Sequence, residues 1–364
     1  MTELAWLLNN TRAADKNRRA VIGLDGFVDT IIRPVDRRTD KEHYTLIPTL
    51  QAFGERIASA SGMSLNIEMI RSQQKMGGNG ISMAYALSLL GQDTACLGAM
   101  GETEIHPVFL PLKETAELYS FAEPAQTSAV EFEDGKIISS VLEPLNSLTW
   151  EKILAGIGFE PLRKLIREAG FVALNNWTMI PEMDAIWEHI LEEILPGSEN
   201  REKYFFFDLA DPQKRTPEDV KRALHNVSRF TRFGRTIMSC NVREAQSFAR
   251  ILGVPDPEGF YKEDYGKMAA DLCGRVKIDG FVIHTLKDAF LGTQDTVYEA
   301  EGDYTAHPVL TTGGGDNFNG GFAFGLLNSF DYKSALRLGS LVSGFYVRNG
   351  NSPSLEELIE YISE

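Results

Sequence analysis

The sequence predicts an α/β fold, a mostly parallel sheet with helices on both faces, and three observations predict it. Short, wholly apolar runs of strand length alternate with longer segments of helical period along nearly the whole chain. The apolar runs lack the alternation of a sheet wetted on one face, so both of their faces must be covered. No repeat, low-complexity tract or long linker interrupts the pattern.

In chain order, the runs that read as buried strands are Ala20–Gly23 (AVIG), Thr94–Leu97 (TACL), Phe171–Leu174 (FVAL), Tyr204–Asp208 (YFFFD), Thr236–Cys240 (TIMSC) and Gly280–His284 (GFVIH). Between and after them, helical spacing predicts helices over Ile81–Leu90, Pro161–Ala169, Glu182–Leu195, Pro217–Asn226, Val242–Ile251, Tyr265–Cys273, Asn317–Asn328 and Tyr332–Val347. An acidic amphipathic helix, SLEELIEYISE, closes the chain. Two stretches break the rhythm. Phe27–Val35 reads as a second extended segment after the first strand. Ser128–Leu142 reads as a hairpin around Asp134-Gly135, the dipeptide a tight type I′ turn favours. Together they can pair as a small sheet beside the main one, so any second domain is made of insertions in the first.

The 364 residues allow one large domain with an appendage, or two domains, and 43% hydrophobic residues exclude a disordered chain. The net charge of −15 argues against nucleic acid or an anionic membrane as a partner. A phosphorylated ligand would therefore be gripped locally, by main-chain amides, a cation or a few placed side chains. Cys96, Cys240 and Cys273 are odd in number and far apart, which fits a reduced protein, and the six histidines show no zinc-ligand spacing. No apolar run is long enough to span a membrane and the first residues lack a signal-peptide pattern, so the cytoplasm is the default compartment.

Four segments could carry chemistry. In Thr311–Gly321 (TTGGGDNFNGG), Gly313, Gly314 and Gly315 permit a tight turn where a helix begins, and free N–H groups at that point favour an anion. Asp316 beside it has two readings, a base that deprotonates an attacking hydroxyl or an N-cap. There is no GxxxxGK[ST] loop and no GxGxxG fingerprint, which excludes a P-loop and a dinucleotide fold. In Met76–Gly91, Gly77-Gly78-Asn79 introduces a helix, either as a ligand loop or as a packing turn. In Ser239–Gln246, Asn241 and Glu244 stand three apart at a helix start, as a Mg²⁺-phosphate site or as a cap with a solvated acid. In Gly23–Asp29 (GLDGFVD), Asp25 and Asp29 follow a strand end, where α/β sheets bind ligands and where carboxylates can accept from sugar hydroxyls; a solvated loop is the other reading.

In this order, from about Ala20 to the end, the segments resemble the ribokinase-like, phosphofructokinase-B type carbohydrate kinase family, most specifically through Gly313–Gly321. The resemblance implies a three-layer α/β/α sandwich with a small β-sheet lid, a single domain with lid insertions at about 27–45 and 102–145. It implies an ATP- and Mg²⁺-dependent kinase acting on a hydroxyl of a small sugar or polyol, with a homodimer as the assembly. Carried over by motif, Asp316 would be the base and Gly313, Gly314 and Gly315 the anion hole. Asp25, Asp29, Gly77, Gly78 and Asn79 would hold the sugar. Asn241, Thr285 and Asn349 would contact the nucleotide, and Glu244 would serve the metal. Three departures stand out. Leu310 replaces an Asp, which leaves a monovalent-cation site without its carboxylate. Ser82 replaces a sugar-binding Asn, and Lys287 and Phe290 fall where the nucleotide loop has glycines. A nucleoside kinase of the same superfamily and a non-catalytic sugar or nucleotide binder are the alternatives; a dehydrogenase lacks its glycine fingerprint.

Overall fold

The computed structural model describes residues 3–11, 18–255 and 262–363. Its strands, in chain order, are β1 (Ala20–Gly23), β2 (Phe27–Arg38), β3 (Tyr44–Leu46), β4 (Met69–Gly77), β5 (Thr94–Gly98), β6 (Glu117–Ser120), β7 (Ala125–Phe132), β8 (Gly135–Val141), β9 (Phe171–Leu174), β10 (Tyr204–Phe207), β11 (Arg235–Asn241), β12 (Gly280–His284), β13 (Asp288–Gly292) and β14 (Val297–Glu301). The six apolar runs form the middle of a nine-stranded sheet in the order β14-β13-β12-β11-β10-β9-β1-β5-β6. Pairing from β6 to β12 is parallel, and β13 and β14 add an antiparallel edge.

Every residue of β1, β9 and β10 is buried, because each face of the sheet has its own apolar layer. One layer packs Trp150, Leu162, Trp187, Val227, Phe248 and Leu272 from helices on one side. The other packs Ile81, Leu87, Phe318, Phe322 and Leu338 from the Asn79–Leu89, Gly314–Leu327 and Tyr332–Asn349 helices on the opposite side. This is the α/β/α sandwich that the alternating pattern implies. A closely fitted seam joins two of these helices: a Cβ on Gly320 would stand 2.9 Å from the Ala86 Cβ.

The second sheet has five strands, β3-β2-β7-β8 with β4 on the free side of β2. Phe27–Ile32 of β2 runs parallel to Ala125–Val130 of β7, and β7 and β8 form the hairpin around Asp134-Gly135. β4 (MIRSQQKMG) was not legible as a strand: its polar, largely exposed residues hide the period, and a bulge between Ile31 and Ile32 shifts its register. β3, β6, β13 and β14 were also missed. In the TLKDAF stretch, Ala289 and Phe290 are strand residues paired to both β12 and β14, and Asp288 pairs with Glu301 of β14. Among the described residues, no helix is long and apolar enough to cross a membrane.

The carboxyl ends of β1, β9, β10, β11 and β12 line one edge of the main sheet. β2 leaves that edge three residues after β1, and β4 returns directly into the Asn79–Leu89 helix. The small sheet is thereby rooted over the edge on which every candidate segment ends.

Candidate active site

The site is built first from the glycine turn. Gly313 takes φ +93°, open to glycine without strain, and stands as N-cap of the Gly314–Leu327 helix. The Gly314 N–H reaches the Thr311 carbonyl at 3.3 Å, whereas the amides of Gly313, Gly315 and Asp316 donate to no described group. These free donors lie at the positive end of a 14-residue helix and can bind an anion. The turn is held from two sides. Tyr346 donates its hydroxyl to the Thr312 carbonyl (2.8 Å), and Lys136 of β8 donates to Thr312 Oγ1 (2.7 Å), tying the small sheet to the glycine turn.

Asp316 faces this turn from within the helix, half-buried. Its Oδ1 accepts from Asn79 Nδ2 at 3.0 Å. Burial, followed by the charges of Asp208, Asp25 and Glu244, holds its carboxyl well above the usual carboxylate range. Asn79 in turn is set by Asp25. The Asn79 and Gly80 amides donate to the Asp25 carboxylate at 2.8 and 2.9 Å, capping a helix whose own N-cap, Gly78 (φ +109°), has no side chain to do so. Asn176 Nδ2 adds a third donor at 2.6 Å. Asp25 is fully buried, and burial pushes its pKa up to about 6. It lies behind the Gly77-Gly78-Asn79 turn with its acceptors already occupied, so the expectation that Asp25 itself contacts the sugar needs correction. Asp25→Asn is expected to lose about 2 kcal/mol in urea unfolding, because one carboxamide N–H₂ must then face a main-chain or side-chain donor. A wild-type unfolding midpoint would contradict this placement.

Asp29 projects from β2 beside Gly77. A Cβ on Gly77 would stand 2.3 Å from Asp29 Oδ2, so the first glycine of the pair makes room for this carboxylate. In the sheet register Asp29 is flanked by Lys75 on β4 and Thr127 on β7. Burial raises its pKa, and the Lys75 charge, the Thr127 hydroxyl and Lys136 oppose the rise.

On the far side of Asp316, Asn241 and Glu244 form a reciprocal capping box. Asn241 Oδ1 accepts from the Glu244 N–H (3.1 Å), and Glu244 Oε2 accepts from the Asn241 N–H (3.0 Å). The acid is not simply solvated: burial, then the charge of Asp208, pushes Glu244 up to about 8. Sequence reasoning missed Asp208, which follows β10 and is 5% exposed. It accepts from Asn319 Nδ2 (2.9 Å), itself fixed by Ser239, and burial raises its pKa. Asn175 and Asn176 were also missed; Asn175 Oδ1 receives the Asp208 N–H at 3.2 Å. Their signal was available, since YFFFD and FVALNN both put polar residues at the carboxyl end of a buried parallel strand. Among the described residues, no three His, Cys, Asp or Glu side chains lie close enough to chelate a metal ion.

Two nucleotide-side expectations fare differently. Thr285 directly follows β12, and its hydroxyl accepts from the Lys287 and Asp288 amides, each at 3.0 Å. Asn349 is exposed, and its amide turns back onto the Phe345 carbonyl (2.9 Å), so it is not drawn into the cluster.

A family model described as prokaryotic ketohexokinase matches residues 9–364. A ketohexokinase of Haloferax volcanii is 29% identical over 350 residues, covering 95% of this chain and 91% of that protein. Among solved structures, Arabidopsis thaliana ribokinase complexed with ribose and ATP superposes with a TM-score of 0.66 at 16% identity, over 96% of this chain and 99% of the other. Adenosine kinase from Sinorhizobium meliloti reaches 0.64 at 15% identity, with 96% and 99% coverage. At such identities these two structures share the fold.

Proposed function

The chain belongs to the prokaryotic ketohexokinase family and is an ATP-dependent sugar kinase; from that premise we propose that it phosphorylates a hydroxymethyl group of a ketohexose, with Asp316 as the base. The observation that carries the reading is the pairing of a carboxylate with unengaged amides at one helix start, Asp316 beside Gly313 and Gly315. In this account Asp316 accepts the proton of the attacking hydroxyl. Asn79 fixes which carboxylate oxygen is free, since Oδ1 already accepts from its side chain. The free amides stabilise charge on the migrating phosphoryl group, and they need no reorganisation because the turn is held by Tyr346 and Lys136.

Asp29 is assigned to the sugar hydroxyls, with Gly77 and Gly78 allowing the sugar to approach the main chain. Asp25 is assigned to positioning Asn79. β2, β4, β7 and β8 act as the lid that excludes water, the competing acceptor. Glu244 and Asp208 are the residues that would hold Mg²⁺, and their oxygen donors suit it: burial raises both acids, the Asp208 charge raises Glu244 further, and both would gain from a nearby cation. With no chelating trio among the described residues, such an ion would keep several waters, and the chemistry it would supply is neutralisation of phosphate charge. Thr285 is assigned to the nucleotide side, and so is the exposed Asn349, whose Oδ1 is left over from its Nδ2 bond to the Phe345 carbonyl.

The test is coupled ADP release over ketohexoses, aldohexoses, pentoses, sugar phosphates and nucleosides, with and without Mg²⁺. The highest kcat/KM is expected for a free ketohexose in the presence of Mg²⁺. Preference for a nucleoside or a sugar phosphate would overturn the substrate assignment.

A further inference from the structure

His284 ends β12 with its ring against the glycine turn. A Cβ placed on Gly315 would stand 3.1 Å from its Cε1 and 3.3 Å from its Nε2, so the imidazole packs directly on the residue whose amide is free. In the parallel register His284 is the partner of Asn241 on β11, which puts it between the Asn241–Glu244 element and the glycine turn. Phe318, one turn further along the helix, braces the ring, with centroids 5.1 Å apart and planes tilted by 32°. Within this scaffold the two ring nitrogens form no hydrogen bond with a described group.

We propose that His284 is a nucleotide-phosphate ligand, donating one ring N–H to a phosphate oxygen seated on the Gly315 amide. A neutral imidazole always carries one N–H, and here that donor is half-buried rather than sealed in the core and has no acceptor among the described groups, so it is left available to a ligand. A phosphate oxygen arriving at the Gly315 amide supplies that acceptor, and a Phe or Leu at the same place could not respond. Burial lowers the pKa of the ring to about 4, so in the free enzyme it is a neutral donor at physiological pH. The ring therefore grips the anion by hydrogen bonding and leaves compensation of its charge to the helix end and the cation site. The inference rests on the assignment of the glycine turn to phosphate and adds a side chain to it.

Titration calorimetry with ADP and with adenosine, on the wild type, His284→Phe and His284→Gln, tests it. The Phe variant keeps the packing on Phe318, and the Gln variant restores an N–H. H284F is expected to bind ADP at least about tenfold more weakly while adenosine affinity stays within twofold, the size of one hydrogen bond to a charged group. H284Q is expected to recover most of the loss. If H284F does not fold, as judged by its thermal midpoint, His284→Ala with the same two ligands gives the same comparison. ADP binding within twofold of wild type in the apolar variant, or equal losses for ADP and adenosine, would overturn the assignment of His284 alone. A wild type that binds ADP no better than adenosine would overturn the phosphate site and His284 with it.

Discussion

Asp316→Asn is expected to fold as the wild type does and to lose about 10²–10⁴-fold in kcat, the range for removal of a positioned base. The asparagine oxygen can still accept from Asn79, so the geometry survives and the proton acceptor is what disappears. Two accompanying results separate this from general damage. Only the ionised carboxylate can take a proton, and burial among Asp208, Asp25 and Glu244 raises its pKa. The low-pH fall in wild-type activity should therefore lie above the range of an ordinary aspartate, about 3.9, and should vanish from the residual activity of the variant. Stability should move the other way. A carboxyl whose folded-state pKa is raised disfavours folding once pH exceeds its unfolded pKa, so at pH 7 the neutral variant should melt at or above the wild-type temperature. A variant with near-normal turnover would remove Asp316 from the mechanism.

Gly77→Ala is expected to raise the KM for the sugar by about 10–100-fold while the KM for ATP stays within about twofold. The added methyl would lie 2.3 Å from Asp29 Oδ2 and 2.5 Å from its Cγ, so the carboxylate has to turn away. Gly77 ends β4 paired with Phe27, without the positive φ of Gly78, so alanine is compatible with the backbone there. The expected loss corresponds to one hydrogen bond to a charged group, about 1.5–3 kcal/mol. Steady-state kinetics with each substrate varied in turn checks it. Equal rises in both KM values would indicate distortion of the whole cleft, and unchanged values would remove Asp29 from sugar binding.

The six inner strands of the main sheet were legible because they are buried on both faces, so residues such as Val21, Ala173 and Phe206 write an unbroken apolar run. The small sheet was only half legible. β2 and the β7–β8 hairpin carry β-rich or turn-specific sequences, whereas β4 is polar and is a strand because β2 offers it an edge. The same division holds at the site. Asp316 and its glycines are contiguous, and their backbone chemistry can be read locally. The role of Asp25 depends on a contact with Asn79 and Gly80, 54 and 55 residues away. That contact turned an expected sugar ligand into a buried cap. Asp208 and His284 were hidden because each looks like the tail of a buried strand until the strands are set side by side.

The most direct measurement of the central claim is a crystal structure of the enzyme with a ketohexose and a non-hydrolysable ATP analogue. The account predicts a sugar hydroxymethyl oxygen within hydrogen-bonding distance of the Asp316 carboxylate, on the line toward a terminal phosphate that receives the Gly313 and Gly315 amides. A hydroxymethyl group held away from Asp316, or a terminal phosphate bound outside that turn, would contradict it.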